Sequence, residues 1–459
     1  MTWRTDLSAG ATVLASSGGS IYGESLAGAL TVSKHAQVRS GEAAFNGGEI
    51  RLYARSGALL VDEDALVSSE PGTWVPPRET IVNGCTILGA TRPGFNHIYL
   101  EDGSPDVVLS GDQPGSGNYT ATRDVIVRSA VVHPAAGNLA MTAGRDILLG
   151  QAGAGVVIRT EAADGRVVLT AGRDIIVGTD SEVVTVETTP GGDIALEADD
   201  LDPEPGQFSG GNGQGGVWVR TNGQIRSGRD VTLTGSDVQA DNPGPVDAVR
   251  IDADGPNDQV RAARHITIEP RDTAPDGADA IVAGHLTSTA NGNLNLAATA
   301  AGLVRLAATL TTDGGNIALN DDTLLAGSSF LDTNGTAPGA GDIRFSGAIR
   351  GTTPAAESLT LTAGAADITF TGALGDGAVP LGHLRINSAR NVDFQQTVTA
   401  ESLVQATGSG ATAIQAAVHV GSATGVAMST TDIQLDAPLT TTAGSSGAVT
   451  FTNAGHLTI

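Results

Sequence analysis

The nonapeptide "TAGRDILLG" at 142–150 is written again twenty-eight residues later, at 170–178, as "TAGRDIIVG". A near-copy at fixed spacing marks a repeat architecture, in which each unit solves the same packing problem. One cycle contains the aliphatic runs "ILL" (147–149), "VVI" (156–158) and "VVL" (167–169), and "IIV" (175–177) restarts it. Each run has strand length, is rich in aliphatic β-formers and is bounded by Gly, Asp, Asn or Ala-Gly. A cycle is therefore three strands and three turns, with no helical periodicity.

The same period runs through the chain. "GGSIYGESLAGALTVSKHAQVRS" at 18–40 aligns without a gap to "GGEIRLYARSGALLVDEDALVSS" at 47–69, matching Ile21 to Ile50, Leu30 to Leu59, Val32 to Val61 and Val38 to Val67. "DIRFSGAI", "DITFTGAL" and "NVDFQQTV" begin at Asp342, Asp367 and Asn391 and bring Phe345, Phe370 and Phe394 into register. A three-strand unit cannot bury its apolar face alone, but stacked units can. The expected fold is all-β: a right-handed parallel β-helix with coils of about 24–29 residues. In "TAGRD", Gly144 and Gly172 are expected to turn the chain with positive φ. The following Asp or Asn should hydrogen-bond local backbone or its counterpart one coil away.

Composition sets the kind of core. Glycine is 62 of 459 residues and aromatics are 3%, yet hydrophobic residues are 40%, so the core is built from small aliphatics. The formal charge of −25, from 50 acidic and 25 basic residues, argues against nucleic acid and anionic lipid as partners. No window approaches the apolar length of a membrane span, and no secretory signal is visible. The final "AGHLTI" reads as the start of a strand, so an interior piece of a longer chain is expected. The lone Cys85 sits in apolar "NGCTILG" and reads as a small buried residue.

Interruptions of the pattern define the expected organisation: coils over 1–70, an aromatic and Pro-rich excursion over 71–120, and coils over 121–459. Acidic Gly/Pro-rich insertions fall at 199–216, 241–260 and 270–279, where a central ladder cannot continue. The excursion carries Trp74, Phe95, Tyr99 and Tyr119, and loops on a rigid scaffold are the usual seat of binding. These four residues are the candidate binding surface.

Catalytic patterns are sparse. Adjacent carboxylates occur at Asp199–Asp200 and Asp321–Asp322, but a bare pair says little. The eight histidines are scattered, and no nucleophile elbow or phosphate-binding loop is present. "DADGPNDQ" offers Asp252, Asp254, Asn257 and Asp258 around Gly255, a shortened calcium loop lacking the closing Glu. Asp252, Asp254 and Asp258 are thus the metal candidates and calcium the only candidate cofactor. The recurrent Arg of "GRD" and its relatives (Arg123, Arg145, Arg173, Arg229, Arg264) is expected to balance acidic neighbours on adjacent coils.

"GNLAMTAGRDILLG", "GRVVLTAGRDIIVG" and "GQIRSGRDVTLTGSDVQA" resemble the repeats of filamentous-haemagglutinin-like exoproteins of two-partner secretion. Residues 342–400 resemble β-strand repeats of large bacterial surface proteins. The resemblance covers about three-quarters of the chain and implies a secreted or outer-surface bacterial protein. It further implies export by an outer-membrane two-partner-secretion transporter. The family's "NPNG" or "NPNL" motif and "VENN" boundary are absent. The expected function is a non-enzymatic, adhesin-like β-helical stalk displaying loops to host or bacterial surface glycans or proteins. The alternatives are a polysaccharide-active β-helix enzyme (lyase or glycoside hydrolase) and a purely structural stalk of a contact-dependent toxin.

Overall fold

The computed structural model describes residues 124–128, 130–133, 138–150, 155–179, 183–188, 191–198, 215–235, 248–253, 258–271, 280–297, 302–334, 341–442 and 447–459. Before these it describes residue 36 and the strand segments between Asp6–Leu7 and Asn118–Ala121. Among the described residues every regular element is a strand, and the strand ladders are parallel throughout. The protein is a parallel β-helix, as the repeat requires. It forms two compact units: residues 1–229 with 234–236, and residues 230–233 with 237–459. The division falls between the Gly/Pro-rich stretches at 199–216 and 241–260.

In the first unit each coil contributes one strand to each of three faces. Leu139–Ala143, Val167–Ala171 and Ile194–Ala198 stack on the first face. Ile147–Leu149, Ile175–Val177 and Val217–Val219 stack on the second. Val156–Thr160, Val184–Thr188 and Gly223–Ser227 stack on the third. Side chains alternate in and out, so Val167, Leu169 and Ala171 are buried while Val168 and Thr170 are half-buried. The N-terminal repeat stands in the expected register: Ile21 opposite Ile50, Leu30 opposite Leu59, Val32 opposite Val61 and Val38 opposite Val67.

The stretch 71–120 is not one uninterrupted excursion. Ile98–Asp102 pairs with both Ile50–Ala54 and Asn118–Ala121, and Asp106–Leu109 pairs with Leu59–Val61 and Asp124–Val127. Alternating "IYLED" and "NYTA" can enter the ladder despite the prolines around them. Residues 71–85, Cys85 included, lie outside the described residues.

The second unit repeats the plan. Its first face carries Ile266–Pro270, Leu294–Leu296, Ile317–Leu319, Ile343–Phe345, Ile368–Phe370 and Val392–Phe394. Its second face carries Val249–Ile251, Ala280–Val282, Leu303–Leu306, Asp322–Leu325 and Ile349–Gly351. Its third face includes Asp258–Ala262, His285–Ser288 and Thr309–Thr312. The strand Val249–Ile251 and the first three residues of Asp258–Ala262 fall inside 241–260, so part of that stretch belongs to the ladder. Pro270 closes a strand, where its missing N–H costs no interior ladder bond. Residues 199–214 and 272–279 lie outside the described residues.

The expected glycine role is corrected. Gly144 and Gly172 are not among the positive-φ glycines; those of the repeat are its last residues, Gly150 (φ 97°) and Gly178 (φ 102°). Gly172 serves close approach instead. A Cβ there would sit 2.3 Å from the Gly144 carbonyl oxygen of the preceding coil.

Candidate functional site

The corner before each strand carries the chemistry that the repeat writes most often. In the first unit, Asp124 Oδ1 accepts the backbone N–H of Asp146 at 3.2 Å, Asp146 Oδ1 that of Asp174 at 3.3 Å, and Asp174 Oδ1 that of Gly216 at 3.1 Å. In the second unit a like ladder, at the corner before the first-face strands, passes through Asn293, Asn316, Asp342, Asp367 and Asn391. Each side-chain oxygen accepts the N–H one coil on, at 2.8–3.1 Å. His265 takes the same place, with Nδ1 accepting the Asn293 N–H at 3.0 Å.

The arginines of the repeat clamp these carboxylates from the following coil. Arg145 holds Asp124, Arg173 holds Asp146, Arg229 holds Asp193 and Arg264 holds Asp230, each through Nε and Nη2. Arg390 does the same to Asp367, at 2.8 and 2.7 Å. These contacts are stronger than the outward charge balance read from the sequence. They are bidentate, and Asp124 and Asp146 are only 3% and 4% exposed. Arg123 lies outside the described residues. The Arg264 guanidinium holds the Asp230 carboxyl below the usual range against the opposing effect of burial, with the His265 N–H adding to it. Arg390 does the same for Asp367, again against burial and with the Asn391 N–H adding. Asp230 and Asp367 are thus favoured as carboxylates by the partners that hold them.

One further buried acid stands apart from the ladder. Glu357 is 6% exposed and accepts the Thr352 hydroxyl at 2.5 Å and the Thr353 N–H at 3.1 Å. Burial pushes its carboxyl up, but these hydrogen bonds together hold it below its ordinary range.

The expected aromatic surface is not assembled as read. Trp74 and Phe95 lie outside the described residues. Tyr99 occupies the strand Ile98–Asp102, opposite Arg51. Tyr119 is a correction: it is 1% exposed and stands opposite Met141 in the core. Its strand places it on the inward parity, where the large ring fills space between coils.

Of the expected metal loop, Asp252 and Asp258 are described. Asp252 accepts Arg250 Nε at 2.7 Å, while Asp258 starts a strand and accepts the Thr287 hydroxyl at 2.6 Å. Asp254 and Asn257 lie outside the described residues. Among the described residues no group of three His, Cys, Asp or Glu side chains is placed to hold a metal ion.

The sequence reading missed the outward row of the second face. In the first unit Ile126, Leu148, Ile176 and Trp218 stand opposite one another in successive coils, each half-buried between buried neighbours. The Arg220 guanidinium lies 4.8 Å from the Trp218 ring. In the second unit the corresponding row reads Arg250, Ile281, Arg305, Leu324, Arg350. The signal lay in "VIV", "ILL", "IIV" and "VWV", where an apolar residue occupies the outward middle position that other strands give to Thr or Glu.

No family model matches the chain, and no curated protein or solved structure does so. Among the described residues no helix is long and apolar enough to cross a membrane.

Proposed function

We propose that this chain is a rigid β-helical display segment of a secreted or bacterial outer-surface exoprotein, adhesin-like rather than enzymatic. Its parent would be exported by a two-partner-secretion transporter. The observation that carries the reading is the state of the carboxylate row. A glycan-cleaving β-helix would need carboxylates from successive coils free to act as acid, base or nucleophile. Such a row is present at Asp124, Asp146 and Asp174, but each member accepts a backbone N–H of the next coil, and the first two are clamped by arginine. Their chemistry is used in stacking. On the second face the outward positions form a pair of rows, one apolar with Trp218 and one alternating arginine with aliphatic residues. Such surfaces suit contact with surface glycans or proteins.

The test is a glycan- and protein-binding screen with the purified chain, with and without calcium, beside an assay for new reducing ends or unsaturated products. Binding without turnover is expected. The variants W74A and F95A ask whether the aromatic stretch contributes. Turnover of any glycan would replace the display reading by the enzymatic one, and absence of all binding would leave a spacer.

A further inference from the structure

On the second face of the second unit, one outward residue per strand stands in register with the next. Arg250 is opposite Ile281, Ile281 opposite Arg305, Arg305 opposite Leu324, and Leu324 opposite Arg350. The residues on either side of each are buried, so the row faces outward; Leu303 and Asp322, at the starts of two of these strands, are the other residues there that are not buried. Neighbouring strands lie about 4.8 Å apart, which sets arginines about 9.6 Å apart with one aliphatic platform between each pair. In a chain with 50 acidic and 25 basic residues, three arginines in five successive positions concentrate positive charge, with Asp252 and Asp322 beside the outer two.

These arginines differ from those of the corner ladder. Arg145, Arg173, Arg229, Arg264 and Arg390 each clamp one carboxylate with two N–H groups. Arg250 gives Nε to Asp252, two positions along the chain and not one coil away, and Arg350 stands 3.8 Å from Asp322. Arg305 is exposed and makes no ion pair among the described residues. Its five N–H groups face water in a fork suited to a carboxylate.

The geometry points to a binding lane for a linear acidic polysaccharide bearing one carboxylate on every second sugar, laid along the solenoid axis with one ring per coil. Its carboxylates meet Arg250, Arg305 and Arg350, and the apolar faces of the intervening rings lie on Ile281 and Leu324. This names the ligand class for the display reading and rests on it. Because Asp252 and Asp322 already share the outer two guanidinium groups, Arg305 carries the largest part of the attraction.

The experiment is equilibrium binding of the full chain to hyaluronan oligosaccharides, whose uronate alternates with a neutral sugar. A neutral β-glucan and single-stranded DNA of matched length serve as comparisons. The wild-type chain is expected to prefer hyaluronan. The preference should vanish as salt rises from about 0.01 M to about 1 M, which shortens the screening length from about 30 Å to about 3 Å. The triple variant R250Q/R305Q/R350Q should bind about tenfold more weakly, the sum of three exposed charge contacts, with R305Q alone giving most of the loss. R385Q, which removes an exposed arginine on the third face bonded to Asn387, should change nothing. Circular dichroism and the thermal midpoint establish that each variant is folded. Equal binding of hyaluronan by wild type and triple variant overturns the lane. Binding of the β-glucan but not hyaluronan overturns it while the display reading stands. DNA binding as tight as hyaluronan overturns the uronate assignment, and no glycan binding by the folded wild type overturns the lane and the glycan form of the display reading together.

Discussion

The rings of Phe345 and Phe370 lie one coil apart in the core, parallel to within 9° and with centroids 5.4 Å apart. Phe394 continues the stack at 5.0 Å and 4° from Phe370. All three are essentially inaccessible to solvent. In a core built mainly of Val, Ile, Leu and Ala, this stack joins three large rings in successive coils. Phe370, which touches a ring on both sides, holds its centre. F370A should destabilise the second unit by about 3–5 kcal/mol, and F370L by clearly less because most of the volume is retained. Denaturant unfolding measures both, and a loss below about 1 kcal/mol for F370A would contradict the packing described.

The buried carboxylate of Asp146 binds the guanidinium of Arg173 and the N–H of Asp174 at once. D146A removes an acceptor from a backbone donor and a charge from a partly buried arginine. It is expected to cost about 2–4 kcal/mol, below the full figure for a deeply buried pair because Arg173 retains 19% exposure. D146N keeps the acceptor for Asp174 and should cost about half as much. Equal losses for the two would assign the whole effect to charge.

Acid should loosen the second unit in a defined direction. Asp230 and Asp367 have carboxyl pKa values held below the ordinary range by their arginines. A depressed folded-state pKa gives stability that is full above the unfolded value, about 3.9, and is lost as pH falls through the folded value. The thermal midpoint should therefore drop as pH is lowered from about 4, and D230N and D367N should flatten that drop. An unchanged slope in the double variant would show that other groups govern acid unfolding.

Two glycines should respond in opposite ways to alanine. A Cβ on Gly315 would sit 1.9 Å from the Gly292 carbonyl oxygen, where backbone meets backbone between coils. G315A is expected to cost at least about 2 kcal/mol. Gly377 has open space around its Cβ position, so G377A should be neutral or stabilise by up to about 1 kcal/mol through the unfolded chain. Paired thermal melts separate the two cases.

Glu357 offers a test of a buried acid outside the repeat. E357A leaves the Thr352 hydroxyl and the Thr353 N–H without their acceptor and should cost about 1–3 kcal/mol. E357Q retains an acceptor oxygen and should recover part of that. Hydrogen exchange at Thr353 reads the effect locally, and unchanged exchange in E357A would remove Glu357 from the list of structural acids.

Much of this was readable in the chain itself. A repeat of 24–29 residues with three apolar runs per cycle dictates a solenoid, because no single cycle can bury its own face. Alternation with period two assigns inward residues, so the sequence alone aligns Ile21 with Ile50 and Phe345 with Phe370. The Asp and Asn at each corner could be read as backbone acceptors for the same reason, since one solution recurs in every coil. What only the tertiary structure decided is everything that depends on which coil lies beside which. Tyr119 looked like a surface ring because its neighbours are turn residues, but the ladder places it against Met141. Arg250, Arg305 and Arg350 are separated by 55 and 45 positions and carry no shared motif. Insertions of unequal length lie between their strands, and the sequence does not say how those lengths bring the strands into step. Backbone hydrogen bonding sets the spacing between strands and the stacking sets their register, and those two together make one row of three distant arginines.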